Sequence, residues 1–166
     1  MSASGTASFI ASSIVIGCGA TAIFDLWKVF MSEVMGAPRA NWVLGGRWFG
    51  YLTRFQFHHQ SIGATPPFPA ERLLGWVGHY VVGIVYAAAL LGIWGMGWAD
   101  APTLLPALVV GVVTVLAGWF VMGPGMGAGI ANANTPAPGK ACALQLASHV
   151  VFGLGLYATA LGWAAR

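Results

Sequence analysis

From Thr103 to Met122 the chain reads TLLPALVVGVVTVLAGWFVM, twenty positions without one charged side chain. A hydrocarbon core takes ~20 helical residues to cross. A soluble protein of 166 residues still exposes much of its chain and could not cover such a segment on every side. Lipid is therefore the expected solvent, and in lipid a lone segment satisfies its own backbone only as a helix. Three more stretches read the same way: about 8–27, with helix able to continue to Val34, then 73–94 and 141–164. Alternating short segments of the kind that build a strand barrel are absent. The fold class is thus all-α, a four-span bundle forming a single transmembrane domain.

Composition agrees with this reading. Hydrophobic residues make up 58% of the chain and charged residues 7%, against roughly a quarter charged in soluble domains. The net charge of +3 does not imply nucleic acid, because the basic residues form no run and lie at the ends of apolar segments. Cys18 and Cys142 fall in separate apolar segments, which argues against a disulfide framework. The N-terminus lacks the basic region of a secretory signal. Val15-Ile16-Gly17-Cys18 looks like a lipoprotein cleavage site, but apolar residues continue past it, so the match reads as coincidence.

The basic residues orient the spans. Lys28, Arg39, Arg47, Arg54 and Arg72 lie at or between the first and second spans, and Lys140 precedes the fourth. The connection between the second and third carries Asp100 and no Lys or Arg. Loops 36–71 and 123–140 are therefore expected in the cytoplasm, with both termini outside. Only Arg166 departs from the pattern. The first loop mixes Arg with Trp42, Trp48, Phe49, Tyr51, Phe55 and Phe57, so part of it is expected to lie flat at the headgroup level. The second opens Gly123-Pro124-Gly125-Met126-Gly127-Ala128-Gly129. It lacks the GK[ST] ending of a phosphate loop, which leaves a tight turn or short re-entrant piece.

Spans two and four share a pattern. His79 is followed by Gly83 and Tyr86-Ala87, and His149 by Gly153 and Tyr157-Ala158. Both helices would run in the same direction, as two parallel two-helix repeats would place them.

Asp25, His79 and His149 are ionisable groups inside spans, where such groups are costly and face a bundle interior or cavity. At ~1.5 Å per residue, His79 lies ~10 Å beyond Arg72 and His149 ~13 Å beyond Lys140, while Asp25 lies ~5–12 Å from Lys28 and Glu33. All three fall in one slab of the cytoplasmic half. Helical neighbours extend the faces to Cys18 and Thr21 on span one, Gly83 and Tyr86 on span two, and Cys142, Gln145 and Gly153 on span four. Inward stripes would gather Asp25, His79, His149, Gln145 and Tyr86 into one ligand or proton site. The bland alternative is interhelical hydrogen bonding that holds the bundle in register. His58, His59, Ser61 and Glu71 invite a hydrolase reading, yet neither a GxSxG elbow nor an HExxH motif is present. The histidines are read as interfacial and Glu71 as a helix-start carboxylate.

Further segments carry a resemblance. Asp25-Leu26-Trp27, Gly46-Arg47-Trp48, Ser61-Ile62, Glu71 with Gly75-Trp76 and His79-Tyr80-Val81-Val82-Gly83, Pro102 through Pro106, Pro124 through Gly129, Thr135-Pro136, and His149 with Phe152 through Tyr157 resemble a family of bacterial integral membrane proteins. That family is catalogued as domain of unknown function 2938. The resemblance implies a four-helix protein of the bacterial inner membrane and brings no activity, cofactor or catalytic residue.

Three function classes follow. One is an ion- or small-molecule binding and transport module using the intramembrane polar groups, since His titrates near neutral pH. Four helices are few for a carrier, so a homo-oligomer or other membrane subunits are expected beside the lipid bilayer. Another is an accessory or assembly subunit whose polar groups are structural. The last is electron transfer, with His79 and His149 as axial ligands of a b-type haem, or of Cu or Zn. An enzyme is disfavoured.

Overall fold

A computed structural model describes residues 3–166, and no strand occurs among them. The elements in chain order are α1 (Ala3–Met35), α2 (Trp42–Leu52), α3 (Glu71–Trp94), α4 (Gly97–Asp100) and α5 (Leu104–Ala117). A π-helical turn (Gly118–Met122), α6 (Gly123–Met126), a 3₁₀ turn (Ile130–Asn132) and α7 (Pro138–Ala164) follow. Four helical stretches are long and apolar enough to cross a membrane: Ser4–Met35, Glu71–Trp94, Leu104–Met126 and Pro138–Ala164. At most 33% of any of them is buried inside the chain, and side chains such as Leu26, Ile93 and Leu105 are 70% or more exposed. Surface of that kind is stable only against lipid or other apolar chains.

Each span is longer than the apolar run that announced it. α1 continues to Met35, in line with the expected extension to Val34. The third span does not stop at Met122. It passes through the π turn into α6, which ends at Gly127 in the left-handed region (φ 95°). Gly95 (φ 84°) ends α3 in the same manner, since only glycine takes that angle at no steric cost.

The chain packs as two compact units. The first takes α1 through Pro38, Tyr80–Val113 and Ser148–Arg166. Its core is Ile16, Ala20, Leu90, Leu91, Phe152 and Leu156, and its helices meet on small residues. A Cβ on Gly17 would lie 2.5 Å from the Ile84 Cα, and one on Gly111 2.6 Å from the Gly153 Cα. A Cβ on Gly155 would lie 3.0 Å from the Ala20 Cα. Apolar side chains gain little by leaving lipid for another helix, so spans hold together through close backbone approach of this kind.

The second unit is Arg39–His79 and Thr114–Ala147. Here α2 is the unexpected element. Within loop 36–71, Gly45, Gly46, Arg47, Trp48, Gly50 and Tyr51 of α2 are buried. Gly46 meets the Glu71 carbonyl and the Gly75 amide so closely that no Cβ would fit. The Asn41 side chain accepts from Leu44 N–H (3.4 Å) at the start of α2, as an N-cap does. The following stretch is laced onto α6 by His59 N–H to the Gly125 carbonyl (2.9 Å) and Ile62 N–H to the Met126 carbonyl (3.0 Å).

Candidate functional site

In the first unit, α1 and α3 run antiparallel in a register set by one-turn steps. Gly17 lies against Ile84, and Thr21 against Gly83. One turn further, Asp25 accepts a hydrogen bond from the Tyr80 hydroxyl, with the Cys18 thiol within electrostatic reach. The stripe Cys18, Thr21 and Asp25 expected on the first span is thus the face that α3 covers. Thr21 itself donates to the Gly17 carbonyl of its own helix (2.8 Å), which disposes of its hydroxyl in the apolar interior.

His149 stands in the same unit, its Nδ1 3.1 Å from the Gly111 carbonyl of α5. A carbonyl only accepts, so the neutral ring carries its proton on Nδ1 and its lone pair on Nε2. Phe24, the neighbour of Asp25 in sequence, packs edge-on against His149 (6.1 Å between ring centroids) and against Phe152 (6.5 Å). Tyr86 packs edge-on against Phe152 (6.1 Å). Asp25, Tyr86 and His149 therefore belong to one packed unit, but the phenol on the carboxylate is Tyr80. Sequence reasoning passed over Tyr80 because it had placed His79 on the inward face, and adjacent helical positions cannot share a face.

His79 and Gln145 belong to the second unit. The His79 ring stacks on Trp42 of α2 (3.7 Å between centroids, 20° between planes), with Trp76 at 6.4 Å. Gln145 Oε1 accepts from Trp119 Nε1 (2.8 Å) in the π turn and from Asn132 Nδ2 (2.8 Å). Asn132 sits at φ 61°, in the left-handed region that asparagine tolerates better than most residues. The Cys142 thiol donates to the Ala131 carbonyl (3.2 Å). Gln145 thus fixes the backbone turn at 130–132 to α7. Among the described residues, no three His, Cys, Asp or Glu converge as metal ligands do.

Three residues, Arg47, Glu71 and His59, carry more than the sequence indicated. Glu71 was read as a helix-start carboxylate, and it does accept from Phe68 N–H (3.0 Å). It also takes Arg47 in a two-pronged ion pair, Nε to Oε2 at 2.7 Å and Nη2 to Oε1 at 3.0 Å. Arg47 is 8% exposed, and its Nη1 donates to the carbonyls of Ile62 (3.2 Å) and Thr65 (2.7 Å). Its hydrogen bonds to the Glu71 carboxylate raise the Arg47 pKa further, so the guanidinium is charged at every working pH and ties α2, loop 62–65 and α3 together. Glu71 is the sole acidic residue in 36–71 among three arginines, a signal that could have found the pair. His59, expected at the interface, is buried, its Nδ1 3.2 Å from the Gly125 carbonyl. Burial follows from the backbone lacing of 59–62 onto α6, which a residue-by-residue reading of polarity does not show.

No curated protein and no solved structure matches the chain. The model of one family, described as protein of unknown function (DUF2938), matches residues 14–162, the stretch that holds Asp25, Arg47, Glu71, Tyr80 and His149. The chain belongs to that family.

Proposed function

We propose that this is a multi-pass protein of a bacterial inner membrane, both termini outside the cytoplasm, that binds and conducts an ion through a site built on Asp25. The proton is the ion its groups fit. The observation that carries the reading is the Asp25–Tyr80 hydrogen bond between two apolar spans. A carboxylate at the centre of a membrane helix costs about 3 kcal/mol on insertion scales, whereas interhelical hydrogen bonds inside membranes average about 0.6 kcal/mol. Asp25 lies toward one end of its span, and even half that cost exceeds what one such bond returns. Structural glue alone therefore leaves the residue unexplained, and proton or cation traffic is the role intramembrane carboxylates serve. Tyr80 supplies a neighbouring O–H, and His149 a second titratable group in the same unit. Four spans are few for a conduction path, so the proposal includes pairing of two copies.

The test uses the purified full chain in phosphatidylethanolamine–phosphatidylglycerol liposomes with pyranine inside and a valinomycin-clamped potassium gradient. The wild type is expected to acidify the lumen faster than protein-free liposomes do. Asp25→Asn is expected to return the rate to the protein-free level, and Tyr80→Phe to lower it partway. A wild type no faster than empty liposomes, or an Asp25→Asn variant as fast as the wild type, sinks the reading. An Asp25→Asn variant that loses thermal stability without changing flux assigns Asp25 to structure.

A further inference from the structure

We propose that Arg54, Phe55 and Phe57 form a headgroup site for an anionic phospholipid of the protein's own bilayer. The inference rests on the four spans and is independent of the proton path. The Arg54 guanidinium lies over the Phe68 ring (4.7 Å) and beside that of Tyr51 (5.5 Å). Phe68 is bonded through its N–H to Glu71 (3.0 Å), and Glu71 is the first residue of the second span. The cation is therefore held within one helical turn of a membrane entry point, which is the depth of lipid phosphates.

Charge and exposure identify the occupant. Glu71 is the sole carboxylate of this segment, and Arg47 occupies both of its oxygens. Arg54 has no ion pair among the described residues and is exposed. A guanidinium held over aromatic rings keeps its N–H donors for an oxyanion. Beside it, Phe55 is 83% exposed, the most of any large apolar side chain among the described residues, and Phe57 is 58% exposed. Their rings are 6.5 Å apart. Phe55 takes φ 57°, a conformation phenylalanine seldom adopts. An unpaired Arg next to two bare Phe rings matches the two layers of a lipid, phosphate above and acyl boundary below.

The test is native mass spectrometry of the detergent-solubilised full chain. It is equilibrated with equal amounts of phosphatidylglycerol and phosphatidylcholine carrying identical acyl chains. The wild type is expected to retain phosphatidylglycerol in preference. Arg54→Gln is expected to lower that preference about fivefold, the effect of one interfacial cation. Arg72→Gln removes the same charge from an exposed position on α3 and is expected to lower it much less. Phe55→Ser combined with Phe57→Ser is expected to reduce retention of both lipids alike. The Arg54 side chain makes only ring contacts, so its variant should keep the wild-type melting temperature; Arg54→Lys serves if it does not, with an intermediate preference expected. Equal losses from Arg54→Gln and Arg72→Gln would mean diffuse charge and no site. A wild type without preference for phosphatidylglycerol, or an unchanged ratio in Arg54→Gln, likewise overturns the proposal.

Discussion

The steps His79–Gly83 and His149–Gly153 look alike in sequence and live in different surroundings. Both glycines do the same work. Gly83 leaves room for Thr21 on α1, and Gly153 leaves room for the Ala107 carbonyl on α5. The histidines do not. His79 is covered by the face of Trp42, while His149 donates to the Gly111 carbonyl. A glycine's role in a crossing follows from the missing Cβ, a property it carries wherever it sits. An imidazole can stack, donate, accept or ligate, and the neighbouring element decides which. α3 has α2 beside its first turns, supplied by loop 36–71, and α7 meets α5 at the equivalent turn. The repeat is thus one of packing at the glycines, with no shared chemistry at the histidines.

The largest effect should come from removing what holds α2 in place. Arg47→Ala breaks a pair whose side chains are only 10% and 16% exposed. Leaving Glu71 behind should cost roughly 3 kcal/mol, the lower end for a buried pair broken on one side because some solvent reaches it. Thermal unfolding in detergent reads the loss, and tryptophan fluorescence should rise as the Trp42–His79 stack loosens. A wild-type melting temperature would mean that α2 is held by its glycine crossing alone.

Next come the glycines, where the two steps should behave alike. Gly153→Val drives a side chain into the Ala107 carbonyl and Leu108 Cα, 2.9 and 3.1 Å from the Cβ position. Gly83→Val meets a Thr21 hydroxyl that cannot turn away without giving up the Gly17 carbonyl. Each should destabilise by about 1–3 kcal/mol, the usual range for overpacking. If one is silent, the likeness at the glycines is broken.

The smallest and most discriminating effects are at the histidines. His79→Phe keeps the ring stack and should be nearly neutral, while His149→Phe loses its hydrogen bond at a cost of about 0.6 kcal/mol. Equal responses in unfolding experiments would erase the distinction drawn between the two sites.

Much of this was legible in advance because lipid imposes a rule on every residue. Twenty uncharged positions from Thr103 to Met122 demand a helix whatever lies next to them, and four helical stretches long and apolar enough to cross a membrane occur among the described residues. The stripe Cys18, Thr21 and Asp25 followed from helical periodicity. Depth counted along each helix puts Asp25, His79 and His149 in one slab, whereas packing divides them: Asp25 and His149 lie in the first unit with Tyr86, and His79 in the second. Tyr80 was missed because its face depended on the rotation of α3, which Gly17 and Gly83 set by meeting across the helix pair.

What the sequence determined by itself was therefore whatever each segment owes to its solvent: four apolar helices and the presence of costly polar groups among them. The tertiary structure alone decided who meets whom. It made α2 from a loop of mixed aromatic and basic residues, paired Arg47 with Glu71 across 24 positions, and set Tyr80 on Asp25. The physical reason is range. Transfer to lipid acts on each residue separately and is summed along the chain, whereas hydrogen bonds and ring stacks act over a few ångströms. Only the fold brings their partners that close.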